Sequence, residues 1–157
     1  MMSQIEKAVL FDLDHTISDA SVRDHLIPEA RRTDQWEDYH LLLVNDKPCH
    51  DIVEVINVFR HCGYPVIGIT ARPSRYRSIT WQWLSFNKIA LDELLMHKRD
   101  FWEPSAELKL ALVKERFGED FAKKVLMIID DHPEVIAAFQ KAGVTALQCF
   151  GRKYVQA

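Results

Sequence analysis

The sequence has few of the features that would tie a chain of 157 residues to a membrane or to a disulfide framework. Its three cysteines are odd in number and show no Cys-x-x-Cys spacing, which argues against structural disulfides and thiolate metal sites. The longest apolar runs are four or five residues, whereas a membrane-spanning helix needs about 20. The amino-terminal residues contain no apolar signal core. We therefore expect a cytoplasmic protein with no membrane partner.

The sequence also lacks a large excess of charge of either sign. Its 20 Lys and Arg and 23 Asp and Glu residues give a net charge of −3, so the whole surface offers no general attraction to nucleic acid, although a local basic patch is compatible with it. No GxxxxGK(S/T) loop is present, which excludes a kinase of the P-loop type. A hydrophobic content of 48% is ordinary for a globular protein, and the length predicts one domain, 1–157.

Short apolar runs alternate with helical periodicity along the chain. The helical segments are closed or opened by Gly63, Pro73, Pro104, Gly118 and Pro133. This alternation predicts an α/β fold in which helices cover both faces of a parallel sheet. The polar stretch 18–47 is expected to form only a small insert. Five strands are predicted, at 8–11, 66–69, 94–96, 125–129 and 145–150.

Two pairs of aspartates follow buried strands. Asp12 and Asp14 come after the first strand, and Asp130 and Asp131 after the fourth. In open α/β sheets, ligand chemistry collects outside the carboxyl ends of the strands. If the two strand ends meet, like charges about 4 Å apart cost roughly 4 kcal/mol at an effective dielectric of 20. A bound cation relieves this repulsion, and carboxylate oxygens without thiolate or imidazole partners favour Mg²⁺.

These segments resemble the motifs of the haloacid dehalogenase (HAD) superfamily of phosphatases. The DxDx(T/V) motif matches Asp12 to Thr16, and the later Thr or Ser motif matches Thr70 at the end of the second strand. The lysine motif best matches Lys109, although Lys98 and Lys114 lie nearby, and the acidic pair matches Asp130-Asp131. The resemblance implies a Rossmann-like three-layer sandwich with a five-stranded parallel sheet and a minimal cap.

The resemblance also implies roles for these residues. Asp12 is expected to be the nucleophile that forms an aspartyl-phosphate, and Asp14 the general acid and base, since strand parity places both on the same side. Thr70 is expected to donate to a phosphoryl oxygen, and Lys109 to supply positive charge. Mg²⁺ would be held by Asp12, by the backbone carbonyl of Asp14, and by Asp130, with Asp131 a direct or water-mediated partner. For Asp131 alone, a helix-capping role is an equal alternative.

A closer resemblance is to the phosphatase domain of phage-type polynucleotide kinase/3′-phosphatases. It is carried by Thr70-Ala71-Arg72-Pro73 and the residues that follow, together with 36–40, 96–100 and 129–131. His15 departs from the pattern, since glycine is usual there. Arg72, Arg75 and Arg77 are the expected substrate-binding residues. With Lys98 and Arg99, and with Tyr76, Trp81 and Trp102 interleaved, they predict a groove for a phosphodiester backbone and stacked bases, the alternative being a solvated helix face beside core tryptophans.

The sequence thus predicts a Mg²⁺-dependent phosphomonoesterase that acts on polynucleotide 3′-phosphate ends or on nucleotides. A generic small-molecule phosphatase, closed by oligomer contacts in place of a cap, is one alternative. A HAD-fold binding module without turnover is another, although the presence of all four motifs argues against it.

Overall fold

A computed structural model describes residues 7–30, 35–98 and 103–149. Its main feature is a five-stranded parallel sheet in the order β5-β4-β1-β6-β7. The apolar runs of the sequence become its buried strands, with β1 at the centre. The strands of this sheet are β1 (Ala8–Asp12), β4 (Val66–Pro73), β5 (Glu93–His97), β6 (Val125–Asp130) and β7 (Thr145–Gln148).

Helices cover both faces of the sheet and complete a Rossmann-like α/β fold. Alternate residues of β1 face opposite sides: Leu10 packs in one buried apolar cluster, and Val9 and Phe11 in the other. The first cluster lies under α4 and α5, and the second lies under α2 and α3. The helices are α1 (Glu37–Leu41), α2 (His50–His61), α3 (Arg77–Phe86), α4 (Ser105–Phe117) and α5 (Pro133–Lys141).

The predicted strands and helices are present, but the helix predicted to start at Pro73 is wrong at its beginning. β4 runs on to Pro73, a single 3₁₀ turn spans Ser74–Tyr76, and α3 starts only at Arg77. Pro73 has an extended backbone and pairs with His97 of β5 after an irregularity in the register. A proline also suits the end of a strand, because the donor it lacks is not needed there. Phe150, the predicted end of the last strand, lies outside the described residues.

The segment after β1 leaves the sheet and returns to it. Its ends are joined by a short antiparallel pair, β2 (Ser18–Asp19) and β3 (Lys47–Pro48). Between them lie a 3₁₀ helix over Ala20–Leu26, α1, and a second 3₁₀ helix over Leu42–Asn45. This excursion, which we call the insert, follows the carboxyl end of β1. None of the helices within the described residues combines the length and hydropathy needed to cross a membrane.

Candidate active site

The carboxyl ends of β1 and β6 bring buried aspartates together. β1 ends at Asp12 and β6 at Asp130, and the register pairs the residues just before them, Phe11 and Ile129. Because the strands are parallel neighbours, both carboxylates emerge at one edge of the sheet. Asp131 joins them, and one carboxylate oxygen from each of the three aspartates lies within 4.8 Å of the others. This group, Asp12, Asp130 and Asp131, is the carboxylate cluster.

Lys109 places a positive charge inside the carboxylate cluster. Its Nζ donates to Asp12 Oδ1 at 2.7 Å and to Asp130 Oδ2 at 2.6 Å. The side chain is only 3% exposed, because α4 packs its neighbour Leu108 into the core of the sheet. Burial disfavours the ammonium ion, but Asp12 and Asp130 outweigh burial and raise the pKa of Lys109 above its usual value. Lys109 is therefore a permanent cation between two strand ends.

One ammonium group does not balance three carboxylates. Burial and then repulsion from Asp130 raise the pKa of Asp12, although Lys109 opposes both. Burial and then repulsion from Asp12 and Asp130 raise the pKa of Asp131. A raised carboxyl pKa indicates too little compensating positive charge. The all-oxygen donor set of the carboxylate cluster therefore fits a hard divalent cation such as Mg²⁺.

Thr16 holds the second oxygen of Asp12. Its hydroxyl donates to Asp12 Oδ2 at 3.1 Å, and the thiol of Cys149 donates to Thr16 Oγ1 at 3.4 Å. Burial raises the pKa of the Cys149 thiol to about 11, so the sulfur stays protonated near neutral pH. Both oxygens of the Asp12 carboxylate are therefore fixed by neighbouring donors, Lys109 and Thr16.

His15 occupies a backbone conformation that favours glycine, the residue usual at this position in the pattern that the sequence resembles. Its φ is +61°, in the left-handed region, where histidine is one of the less disfavoured residues with a side chain. Its Nε2 lies 2.9 Å from Asp24 Oδ1. This contact anchors the turn between Asp12 and Thr16 to the insert.

Asp14 stands apart from the carboxylate cluster and faces two arginines. Arg72 Nη2 donates to Asp14 Oδ1 at 2.6 Å, and Arg23 Nη2 donates to the same oxygen. Burial alone would raise the pKa of Asp14, but the two guanidinium groups hold it well below its usual range. In this arrangement the Asp14 carboxylate is ionised at neutral pH.

Arg23 is a residue that the sequence analysis missed. It is fully buried and donates from Nε and Nη2 to the two oxygens of Asp46, at 2.9 and 2.6 Å, and from Nη1 to the Tyr39 carbonyl at 3.0 Å. The carbonyl of Asp46 in turn accepts a hydrogen bond from Trp83 Nε1 of α3 at 2.9 Å. Arg23 therefore ties the insert, α3 and Asp14 together. No local motif marks it, because its partners are distant in sequence.

Arg72 lies near the carboxyl end of β4 and is held by Thr80 of α3. Its Nη1 donates to Thr80 Oγ1 at 2.7 Å, and that hydroxyl donates to the Tyr76 carbonyl at 2.7 Å. Thr70, which is buried within β4 beside the end of β1, accepts a hydrogen bond from the Arg72 backbone N–H at 3.1 Å. The guanidinium group is thus held against Asp14 before any substrate arrives.

The other two predicted substrate-binding arginines lie farther along this segment. Arg75 is exposed, and its guanidinium carbon lies 5.0 Å from the centroid of the Tyr76 ring. Arg77 is half-buried and donates to the Leu94 carbonyl of β5 at 2.8 Å. The predicted groove residues Arg99 and Trp102 lie outside the described residues.

His40 is a buried imidazole beside Asp14 that the sequence analysis did not assign to the site. Its ring stacks on Trp36, with centroids 6.0 Å apart, and lies 4.8 Å from the ring of Tyr76. Within the described residues its Nδ1 forms no hydrogen bond. Burial, together with Arg72 and other nearby guanidinium groups, lowers the pKa of His40 to about 3, although Asp14 opposes this. The imidazole is therefore uncharged near neutral pH.

This neutral imidazole predicts a loss of stability on mild acidification. The folded-state pKa of His40, about 3, lies below the unfolded value of 6.5, so its contribution is present above pH 6.5 and is lost as the pH falls toward 3. Between about pH 7.5 and 5.5, the free energy of unfolding of wild type relative to His40→Asn should fall by about 1.4 kcal/mol. Urea unfolding at both pH values measures this change. The same substitution at the exposed His50 is the control, and a pH-independent difference would contradict a neutral buried imidazole.

Comparison with known proteins identifies the family. A model of the polynucleotide kinase PNKP phosphatase domain, of the HAD type, matches residues 6–154. The chain belongs to this family. It is therefore a HAD-type phosphatase, a hydrolase, as the motifs at its strand ends predict. No curated protein matches the chain in sequence.

Solved structures support the HAD fold of this phosphatase. A chain of the Pnkp1/Rnl/Hen1 RNA repair complex superposes with a TM-score of 0.77 at 24% identity, over 95% of this chain and 44% of that one. The HAD hydrolase YfnB from Bacillus subtilis, bound to magnesium, gives 0.65 at 16% identity, over 90% and 86%. A haloacid dehalogenase-like hydrolase from Streptococcus pneumoniae gives 0.62 at 16% identity, over 95% and 88%. The phosphatase spans less than half of the Pnkp1-complex chain it matches.

Proposed function

We propose that the protein is a Mg²⁺-dependent phosphomonoesterase that works through an aspartyl-phosphate on Asp12 and acts on polynucleotide 3′-phosphate ends or on nucleotides. The observation that carries this proposal is the way in which neighbouring donors hold the Asp12 carboxylate. One oxygen accepts from Lys109 at 2.7 Å and the other from Thr16 at 3.1 Å, and the carboxylate lies beside Asp130 and Asp131. A carboxylate fixed in this way is preorganised for attack on phosphorus.

The carboxylate cluster would hold Mg²⁺ through Asp12, Asp130 and Asp131, with the backbone carbonyl of Asp14 as a further ligand. The raised carboxyl pKa values of Asp12 and Asp131 support this assignment, because they indicate negative charge that Lys109 does not fully compensate. When bound, the ion supplies positive charge that screens the phosphate dianion from these carboxylates. Lys109 adds one permanent charge for the same purpose.

In the first half of the reaction, an Asp12 oxygen attacks phosphorus and forms an aspartyl-phosphate. The bond between phosphorus and the ester oxygen breaks, and that oxygen leaves with a proton. Arg72 is placed to bind a phosphoryl oxygen, since its backbone N–H donates to Thr70, which lies in β4 beside the end of β1. When the phosphate draws the guanidinium group of Arg72 away from Asp14, the pKa of Asp14 rises and the carboxyl can supply the proton.

In the second half, water attacks phosphorus and the bond to Asp12 breaks. The water proton passes to Asp14, and inorganic phosphate leaves. Asp14 is ionised in the resting site, so it can accept this proton, and the withdrawal of Arg72 toward the phosphoryl group raises its pKa and makes it a stronger base. Such acid–base assistance is worth about 10²–10⁴ in rate.

Three observations support a nucleotide or a polynucleotide end as the substrate. The family is that of phosphatase domains of polynucleotide kinases, and a structural neighbour belongs to an RNA repair complex. The insert between β2 and β3 is short, which leaves room for a long leaving group.

The cytoplasm is the compartment we propose, because Cys49, Cys62 and Cys149 are all free thiols.

Phosphate release from a panel of esters tests this function. The panel holds a 3′-phosphorylated oligonucleotide, its 5′-phosphorylated twin, 3′- and 5′-mononucleotides and a sugar phosphate, each with Mg²⁺ or with EDTA. We expect Mg²⁺-dependent release with a preference for the 3′-end or for nucleotides. Faster turnover of the sugar phosphate would favour a generic small-molecule phosphatase. Release that is indifferent to EDTA, or no release from any ester, would overturn the proposal.

A further inference from the structure

An open cavity of about 780 Å³ lies along α3 and the turn that precedes it. Most residues that line it are polar, and α3 repeats them at the spacing of one helix face. The lining includes Ser74, Arg75, Ser78, Trp81, Gln82 and Ser85. We call this surface the α3 track. Arg77 also borders it, but its guanidinium donates to the Leu94 carbonyl and so joins α3 to the sheet.

The charge of the segment that contains the α3 track is unusual for this chain. The protein has a net charge of −3, yet no acidic residue occurs between Glu54 and Asp92, and this interval contains the whole of α3. Arg75 is exposed at the amino-terminal end of the track. A polyanion that leaves the active site along this path therefore meets one exposed guanidinium group and no carboxylate of the segment itself.

Aromatic side chains follow the same path. Trp81 is half-buried and lines the cavity, so part of its ring system remains open to solvent. Phe86 is 86% exposed at the last position of α3, one helical turn beyond Gln82. An exposed phenylalanine has no role in the core. Aromatic rings beside a positively charged groove are the means by which proteins bind single strands without reading their sequence.

The α3 track begins two residues after Arg72 in the chain. Arg72, which contacts Asp14, is separated from Arg75 by only Pro73 and Ser74, and the single turn Ser74–Tyr76 joins them to α3. The ten residues of α3 span about 15 Å at ~1.5 Å per residue. Stacked nucleotides rise ~3.4 Å each, so this length matches about four of them.

We infer that the α3 track binds the single-stranded polynucleotide upstream of a terminal phosphate held at Asp12. This inference rests on the proposed function and adds to it a strand path, a preferred length and named contacts. Arg75 contacts a backbone phosphate, the polar groups of Ser78 and Gln82 line the path, and Trp81 and Phe86 stack on bases. The phosphatase then selects chain ends over mononucleotides by contacts on α3, outside the carboxylate cluster.

The dependence of catalysis and binding on strand length tests the α3 track. The substrates are 3′-phosphorylated oligonucleotides of one to about eight nucleotides, a range that brackets the length of α3. For each, kcat/KM is measured by phosphate release, and Kd by the fluorescence anisotropy of a 5′-labelled strand. The variants are Arg75→Gln, Gln82→Glu and Phe86→Ser, all at exposed positions. Lys141→Gln, at the carboxyl end of α5, is the control that removes one exposed charge elsewhere.

In the wild type, kcat/KM should rise with length up to about four nucleotides and then level off. Arg75→Gln should weaken binding of the longer strands about fivefold at 0.1 M salt and reduce the salt slope by about 0.7. Phe86→Ser should weaken it about tenfold. Gln82→Glu, which adds one negative charge at nearly constant shape, should lower the ratio of long-strand to mononucleotide kcat/KM, while Lys141→Gln leaves this ratio unchanged.

The outcomes separate this inference from the proposed function. Turnover without any length dependence, or equal losses in Lys141→Gln and the track variants, overturns the α3 track and leaves the phosphatase function standing. No turnover of any ester overturns the proposed function. In that case the anisotropy data still decide the track, because the length dependence of Kd and its loss in the three variants do not require catalysis.

Discussion

Replacing Asp12 with asparagine is expected to lower kcat for every phosphate ester by about 10⁴-fold or more. The amide has nearly the shape of the carboxylate but is neutral and a poor nucleophile, so the aspartyl-phosphate cannot form. In wild type, rapid quenching with a ³²P-labelled substrate should trap labelled protein, and in Asp12→Asn it should not. Residual activity above about 1% of wild type would contradict the assignment of Asp12 as the nucleophile.

The fold should survive this substitution. Burial and repulsion from Asp130 raise the pKa of Asp12, so its charge costs stability at neutral pH when no metal is present. Lys109 keeps its second partner, Asp130, at 2.6 Å. We therefore expect the melting temperature of metal-free Asp12→Asn to be no lower than that of wild type. Asp120→Asn, at an exposed site, is the matched control and should retain full activity.

The carboxylate cluster was accessible from the sequence because it depends on strand order and strand ends. Asp12 and Asp130 each close an apolar run, and parallel neighbours deliver their last residues to one edge of the sheet. Lys109 could be proposed from its place early in a helix, yet only the packing of α4 on the sheet shows which lysine reaches the strand ends. Local pattern therefore predicts the chemistry, and packing selects the residue.

Features that depend on contacts between distant segments could not be predicted in this way. Proline is common at the first position of a helix, but pairing with His97 of β5 keeps Pro73 in the sheet. Arg23 and Asp46 are separated by most of the insert, and neither lies in a motif. Their hydrogen bonds form only when the two ends of the insert are brought together by the β2–β3 pair. For this reason the low pKa of Asp14, which Arg23 helps to set, could not be predicted from the sequence either.

Substituting Arg23 should therefore have two large effects at once, on stability and on the pH profile. Arg23→Met removes the partner of two carboxylates and leaves Asp46 buried without its counter-ion. Breaking a buried ion pair from one side costs about 3–5 kcal/mol, and urea unfolding measures this loss directly. The control is Arg116→Gln, which removes an exposed pair with Glu93 and should cost less than about 1 kcal/mol.

The effect of Arg23 on catalysis follows from Asp14. Since Arg72 and Arg23 together hold the pKa of Asp14 low, loss of one guanidinium group must raise it. At low pH kcat falls, because a protonated Asp14 cannot accept a proton from water. This fall should then occur at a higher pH than in wild type. Arg23→Lys keeps the charge but not the two-pronged contact with Asp46, so it should restore much of the pH profile and only part of the stability. If Arg23→Lys folds and both variants keep the wild-type pH profile, Arg23 acts on the fold alone and Asp14 is governed by Arg72.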